Sequence, residues 1–145
     1  MKKVLILLLS LLILSGCEVS REDMLKLNLR EHKDLALHIH PTLNITILGE
    51  DIIIPADTGI SDAGMRVIHT HDTTGKLHVE GPYPFQFHLD DFFEIWEKKF
   101  DYNCIFEYCS NVTHSLKIFV NGNEFMNKSA RIPLFDKDEI KMVYG

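Results

Sequence analysis

Histidine is the residue type whose number and spacing in this chain could do chemistry. Eight histidines occur in 145 residues. Five of them fall in two His-x-His pairs and one single position, and they are the candidate metal ligands: His38, His40, His69, His71 and His78. Neutral imidazole binds ions such as zinc and copper, and three or more rings on one rigid face are what such an ion needs. The spacing therefore predicts a transition-metal site.

Strands are the elements that must position these rings. In a strand, residues two apart point to the same face and lie about 6.5 Å apart along it. His38 and His40 therefore share one face of a predicted strand, while Ile39 falls on the opposite, apolar face. The same argument puts His69 and His71 on one face of a second strand.

A hairpin over residues 65–80 would bring the second pair close to His78. Both halves of this segment alternate in polarity, and residues 72–75, Asp-Thr-Thr-Gly, are typical of a turn. The second pair then lies across from His78 and Glu80. Glu80 and Asp72 are carboxylates that could bind the ion or orient a ring through its second nitrogen. Whether the strand carrying the first pair neighbours this hairpin is left open.

The N-terminus carries an export signal. Lys2 and Lys3 precede an apolar stretch over residues 4–14, too short for the roughly 20 residues of a membrane-spanning helix. The sequence Leu-Ser-Gly-Cys that ends at Cys17 resembles the lipobox of bacterial lipoproteins. The resemblance implies a signal peptide over 1–16, acylation of Cys17 and attachment to the outer side of a membrane by several lipid chains. The alternative is a secreted protein with Cys17 left free.

The charge balance bears on the partners. Without residues 1–16 the chain keeps 13 Lys and Arg against 21 Asp and Glu, a formal balance of −8. An acidic domain argues against nucleic acid or an anionic lipid surface as partner and is compatible with cations. The sequence predicts a polar tether over 17–36 and a single His-rich globular domain over 37–145.

Two cysteines remain for the exported domain if Cys17 is lipidated. Cys104 and Cys109 lie close together in the sequence, and an oxidising compartment favours a disulfide between them. So short a loop gains only about 2 kcal/mol, so the bond would serve to hold a local turn. A pair of metal thiolates is the alternative.

The remaining patterns predict the fold class. The predicted elements are strands over 37–40, 43–47, 51–54 and 140–144, a hairpin over 115–125 and one amphipathic helix over 90–100. Asn121-Gly122 marks the turn of that hairpin, because these residues accept a positive φ. The helix has an aromatic stripe, with acidic residues early and lysines late. The sum is an α+β domain, mainly antiparallel sheet with hairpins and one helix packed on a face.

The histidine motifs also resemble those of a known group. The matching motifs are His38-x-His40-Pro41, Ile54-Pro55-Ala56-Asp57-x-Gly59-Ile60, His69-Thr70-His71-Asp72-x-x-Gly75-x-x-His78-x-Glu80 and Asp91-Phe92-Phe93-x-x-Trp96. Together they resemble a widespread group of small extracytoplasmic domains in archaea and bacteria, over nearly the whole mature chain. The group has no established activity. The resemblance implies a shared fold and a recurring histidine pattern, with the five histidines as candidate ligands.

The leading prediction is a lipid-anchored protein that captures, buffers or transfers copper or zinc outside the cytoplasm. One alternative is a metal-free interaction module that docks a membrane or envelope partner. A second is a small metal-dependent hydrolase with Glu80 as general base. The chain carries no nucleophile elbow, phosphate loop or dinucleotide fingerprint, and it is short for a substrate pocket, so binding is favoured over catalysis.

Overall fold

The computed structural model describes residues 19–145 of the chain. The predicted signal peptide and Cys17 lie outside the described residues. The helices are α1 (Arg21–Lys26) and α2 (Leu89–Ile95), with a 3-10 turn over Leu29–Glu31. The strands are β1 (Leu37–Ile39), β2 (Thr42–Ile47), β3 (Glu50–Ile52), β4 (Ile60–Ser61), β5 (Gly64–Met65), β6 (Ile68–His69), β7 (His78–Gly81), β8 (Cys104–Ile105), β9 (Tyr108–Cys109), β10 (Leu116–Val120), β11 (Asn123–Glu124) and β12 (Glu139–Tyr144). Neither helix is long and apolar enough to cross a membrane.

Two sheets dominate the described domain. The larger has five strands in the order β11-β10-β12-β2-β3, and the smaller has three in the order β1-β7-β6. Two short hairpins, β4-β5 and β8-β9, stand apart from them. The predicted α+β class holds, although strands dominate. Most pairs are antiparallel, as expected, but β12 and β2 pair in parallel at the centre of the larger sheet.

The larger sheet follows from the alternation of its strands. In β2, Leu43, Ile45 and Ile47 are buried while Asn44 is exposed, so one face packs on the core. The predicted hairpin between β10 and β11 is confirmed, with Val120 paired to Asn123 and its turn residues at φ values of 51° and 79°. Two positive φ values are what the Asn-Gly sequence favours.

Helix α2 is shorter than the predicted helix over 90–100. Phe92 and Phe93 are buried as expected, but Trp96 is already the C-cap residue and Glu97 has a φ of 57°. A left-handed residue ends the helix there. Phe100 instead forms a bridge with Ile105. The apolar spacing continues past the end of the helix because Phe100, although not helical, still packs against Phe93.

Part of the segment predicted as a tether packs with the domain. The side chains of Met24, Leu25 and Leu29 are buried in the hydrophobic core. Ser20 caps α1 by accepting a hydrogen bond from the backbone N–H of Asp23. Residues 24–29 therefore contribute to the core of the domain, although they precede residue 37.

The predicted disulfide is present. Cys104 and Cys109 are directly opposite each other in the β8-β9 hairpin, with a Cα–Cα distance of 4.0 Å and a bond between their sulfurs. The bond fixes the turn at residues 106–107 and uses both thiols, so the alternative of metal thiolates does not apply to this structure.

The smaller sheet separates an apolar face from a histidine face. Ile68, Leu77 and Val79 are fully buried in the core. In β7, His78 and Glu80 lie on either side of Val79, so their side chains point to the opposite face. That face is the position of the candidate site.

Candidate metal centre

The five candidate histidines converge on the histidine face of the smaller sheet. Strand β7 is the middle strand, with β1 on one side and β6 on the other. His69 is directly opposite His78, and His38 is directly opposite Glu80. The two His-x-His pairs therefore flank His78 from opposite sides. The sequence left open whether the strand with the first histidine pair lies beside the hairpin. The register shows that it does, because β1 pairs with β7.

The imidazole rings pack around a central residue, His78. We call the five residues the histidine cluster: His38, His40, His69, His71 and His78. The ring centroid of His78 lies 4.6 Å from that of His40 and 4.5 Å from that of His71, both nearly perpendicular to it. His69 stacks at 5.4 Å. Within the two pairs the centroid distances are 4.6 and 4.9 Å.

The cluster forms two groups of three that share His78. The outer triad is His38, His40 and His78, and the inner triad is His69, His71 and His78. In each triad the three ligand atoms lie within 4.8 Å of one another. An ion with bonds of about 2.1 Å to nitrogen places tetrahedral ligand atoms about 3.4 Å apart, so small ring movements bring either triad to that geometry.

His69 is the most constrained of the five residues. Its side chain is fully buried, and its Nδ1 lies 3.0 Å from the backbone oxygen of Arg66. A carbonyl only accepts, so Nδ1 carries the proton and Nε2 keeps a free lone pair. Nε2 is buried and has no hydrogen-bond partner within residues 19–145. A metal-ligating histidine commonly shows this arrangement, in which one nitrogen is fixed by the backbone and the other faces the ion.

Neighbouring backbone holds His69 and His71 in place. Between them, the buried hydroxyl of Thr70 donates to the backbone oxygen of Pro55 at 2.8 Å and accepts from the N–H of Thr58 at 3.0 Å. Gly59 has a φ of 80°, and a Cβ there would approach Ile68 O to 2.5 Å. A side chain at this position would push directly on the backbone that carries His69.

Glu80 supplies a negative charge to the cluster. The residue is 8% exposed, and its Oε1 lies 3.1 Å from His38 Nε2 and 3.7 Å from His78 Nδ1. No lysine or arginine of the described range forms an ion pair with it. A buried carboxylate without a fixed cation is costly, and a metal ion bound among the histidines would compensate its charge.

Asp136 is a site residue that sequence reasoning missed. Its Oδ1 accepts a hydrogen bond from the backbone N–H of His40 at 3.0 Å and lies 4.0 Å from His40 Nδ1. The hydrogen bond fixes the backbone at His40 and places a carboxylate beside its ring. Asp136 follows His40 by 96 positions, and no local pattern marks it.

Asp72 fixes the turn that precedes His78. Its Oδ1 accepts hydrogen bonds from the backbone N–H and the hydroxyl of Thr74. These bonds lower the pKa of the exposed Asp72 carboxyl. Within the described residues no hydrogen bond joins Asp72 to an imidazole, and its predicted role beside a bound ion stays a prediction.

Burial changes the proton affinity of two cluster residues. Removal from water lowers the pKa of His69. It also lowers the pKa of His78, which is further lowered by the neighbouring His71 and His40. Both rings are therefore held in the neutral form, which is the form that binds a metal ion.

We expect the unfolding free energy of the metal-free chain to fall as the pH drops below about 6.5. His69 and His78 have native pKa values below their unfolded values, so the unfolded chain takes up protons first. For each of these two histidines the loss runs from about pH 6.5 down to its lowered native pKa and then stops. His69 contributes at most about 1.4 kcal/mol per pH unit. Denaturant unfolding should show a shallower dependence for His69→Asn, and an unchanged dependence would contradict the assignment.

The other histidines lie outside both triads. His88 is the N-cap residue of α2, and its Nδ1 lies 2.9 Å from a guanidinium nitrogen of Arg131. Burial and that guanidinium lower the pKa of His88. His114 stacks on Tyr144, and its Nδ1 contacts a threonine hydroxyl. These contacts give both residues structural roles.

Comparisons with known proteins add no assignment. No family model, curated protein or solved structure matches the chain. The lipobox and the resemblance to small extracytoplasmic domains therefore stay predictions. The described residues themselves show two histidine triads close enough to hold a metal ion.

Proposed function

We propose that the protein is a lipid-anchored, extracytoplasmic metal-binding protein that captures, buffers or transfers copper or zinc. The observation that carries the proposal is the state of His69. Its Nε2 is buried and unpartnered, its proton is fixed on Nδ1, and the ligand atoms of two more histidines lie within 4.8 Å. An unpaired buried polar atom costs about 1–3 kcal/mol, which an ion bound there would recover.

The ligand set indicates the class of ion. Imidazole nitrogens suit zinc, copper and nickel, whereas magnesium and calcium prefer oxygen ligands. Five rings with one buried carboxylate, Glu80, make a nitrogen-rich site with partial charge compensation. A metal-free interaction module would leave the buried His69 Nε2 without a partner, and it would leave Glu80 with histidine contacts but no lysine or arginine within the described residues.

Exposure favours exchange of the ion over its permanent retention. His38 has about half of its side chain exposed, and His71 is also exposed, while His69 is fully buried. An ion can therefore enter through exposed ligands and reach a buried one. This gradient of exposure supports capture or transfer of an ion. The rings lie on an open sheet face, which is not a deep pocket for a substrate.

Attachment to a membrane follows from the proposal for Cys17. Helix α1 starts at Arg21, only a few residues beyond the acylated cysteine, so the domain would stand close to the bilayer surface. A Cys17→Ser variant should leave the membrane fraction after export. Retention of that variant in the membrane would contradict lipid anchoring.

The proposal is tested by the melting temperature of the full chain, purified in detergent without a polyhistidine tag. Zinc at 100 times its dissociation constant stabilises by about 2.7 kcal/mol, which corresponds to an increase of about 10 °C for a domain of this size. A chelator should reverse the increase. His114→Ala removes a histidine outside the cluster and should keep the full shift. A melting temperature that does not change with zinc, copper or chelator would favour the metal-free module.

A further inference from the structure

We propose that the histidine cluster holds two transition-metal ions, one in each triad, joined by the imidazolate of His78. This inference rests on the proposed function and deepens it. A single-ion site is the simpler arrangement, and three features of the cluster argue against it.

The first feature is the separation of the ligands. The ligand atoms of the five histidines lie within 4.8 Å of one another in two sets of three and not in one set of five. Strand β7 lies between β1 and β6, so His38 and His40 approach from one side and His69 and His71 from the other. One ion bound by either pair leaves the other pair on the far side of His78.

The second feature is the position of His78. Its ring meets His40 at 86° and His71 at 75°, with nearly equal centroid distances of 4.6 and 4.5 Å. Neither nitrogen of His78 makes a hydrogen bond within residues 19–145, and its Nδ1 lies 3.7 Å from Glu80 Oε1. Imidazole has two nitrogens that point away from each other in the ring plane, so His78 can serve one triad with each.

The third feature is the charge balance. A neutral His78 binds the first ion through one nitrogen and carries a proton on the other. The second ion displaces that proton to solvent, which leaves an imidazolate with one negative charge. Together with the carboxylate of Glu80 this offsets two of the four positive charges of two divalent ions. The two remaining positive charges are attracted by Asp136, which lies beside His40, and by the net negative charge of the domain.

The triads are expected to fill in order. The inner triad contains His69, whose buried ring and fixed tautomer need little further ordering. The outer triad contains the exposed His38, which is also held by Glu80 through a 3.1 Å contact. The first ion should therefore occupy the inner triad, and the second should release the contact between His38 and Glu80.

The test is a titration of the untagged full chain in detergent with copper(II), followed by removal of unbound metal and elemental analysis. We expect two equivalents at saturation. The copper(II) electron paramagnetic resonance signal should rise to one equivalent and then fall as the second is added, because two spins joined by an imidazolate couple antiferromagnetically. One proton beyond those displaced by ordinary ligation should be released with the second equivalent.

Two variants assign the ions to the triads. The double variant His38→Ala and His40→Ala removes the partly exposed side chains of the outer triad, and it should bind one equivalent with a full signal. His69→Ala should also bind one equivalent, in the outer triad. His114→Ala should keep two coupled equivalents. Comparable melting temperatures of the metal-free outer-triad variant and the parent would show that the variant folds.

The outcomes separate this inference from the proposed function. No bound copper in the parent overturns both. One equivalent at saturation in the parent supports the proposed function and overturns the two-ion site. Two equivalents with an undiminished signal overturn the imidazolate bridge.

Discussion

His78→Ala is expected to lower the affinity of the chain for copper or zinc by more than about 100-fold. Loss of an outer-shell partner alone typically costs about 10–100-fold, and His78 is a direct candidate ligand of both triads. The change removes a side chain on the histidine face, while its neighbours Leu77 and Val79 keep their places in the core. Competition with a chromophoric chelator measures the affinity.

The matched control for this prediction is His114→Ala, which removes one imidazole from another part of the fold. We expect parental affinity for this control. His38→Ala should give an intermediate result, because the inner triad stays complete. Parental affinity in His78→Ala, with the fold intact, would show that the shared ring is not a ligand.

Asp91→Ala is expected to lower the unfolding free energy by about 3 kcal/mol. Asp91 is fully buried and joins three parts of the chain. Its carboxylate accepts from Arg21 Nε at 2.6 Å and from the backbone N–H of His88 at 2.7 Å, and Arg131 lies 3.9 Å away. Removal of the carboxylate leaves the backbone N–H of His88 without its acceptor. Arg21 then holds α1 to α2 only through the exposed Glu94 and the more distant Asp90. Denaturant unfolding measures the loss.

Glu94→Ala provides the comparison for Asp91→Ala. Glu94 also binds Arg21, at 2.7 Å, but its side chain is 56% exposed. Exposed ion pairs contribute about 0–1 kcal/mol, so the loss should be at most about 1 kcal/mol. Equal losses in the two variants would show that burial of Asp91 does not set its contribution.

Local periodicity was sufficient to predict most of the histidine face. The period of two put His38 with His40 and His69 with His71, and the turn over 72–75 placed the second pair against His78. The structure confirms the pairing of His69 with His78. These features depend only on residues near one another in sequence, where strand geometry alone decides which side chains share a face.

Long-range contacts could not be predicted in the same way. The placement of β1 beside β7 depends on sheet topology, and the contact between Asp136 and His40 depends on a loop from the far end of the chain. The parallel pairing of β12 with β2 is of the same kind. Each is decided by how the whole core packs, which a one-dimensional pattern does not contain.

Helix boundaries and the tether show a second reason for differences. The stripe that predicted a helix to Phe100 is real, but a left-handed Glu97 ends the helix and Phe100 packs from a bridge. Similarly, Met24 and Leu29 in the polar segment pack into the core. The apolar character of these residues predicts that they pack in the core. Whether each does so from a helix, a turn or a strand is decided by tertiary packing.

The central claim is that the histidine cluster binds a transition-metal ion, and the metal content of the untagged full chain tests it most directly. Elemental analysis should be made beside a variant with His69, His71 and His78 changed to alanine. We predict at least one equivalent of copper or zinc in the parent and none in the variant. No metal in the parent after reconstitution at mildly alkaline pH, where the rings are neutral, would contradict the claim.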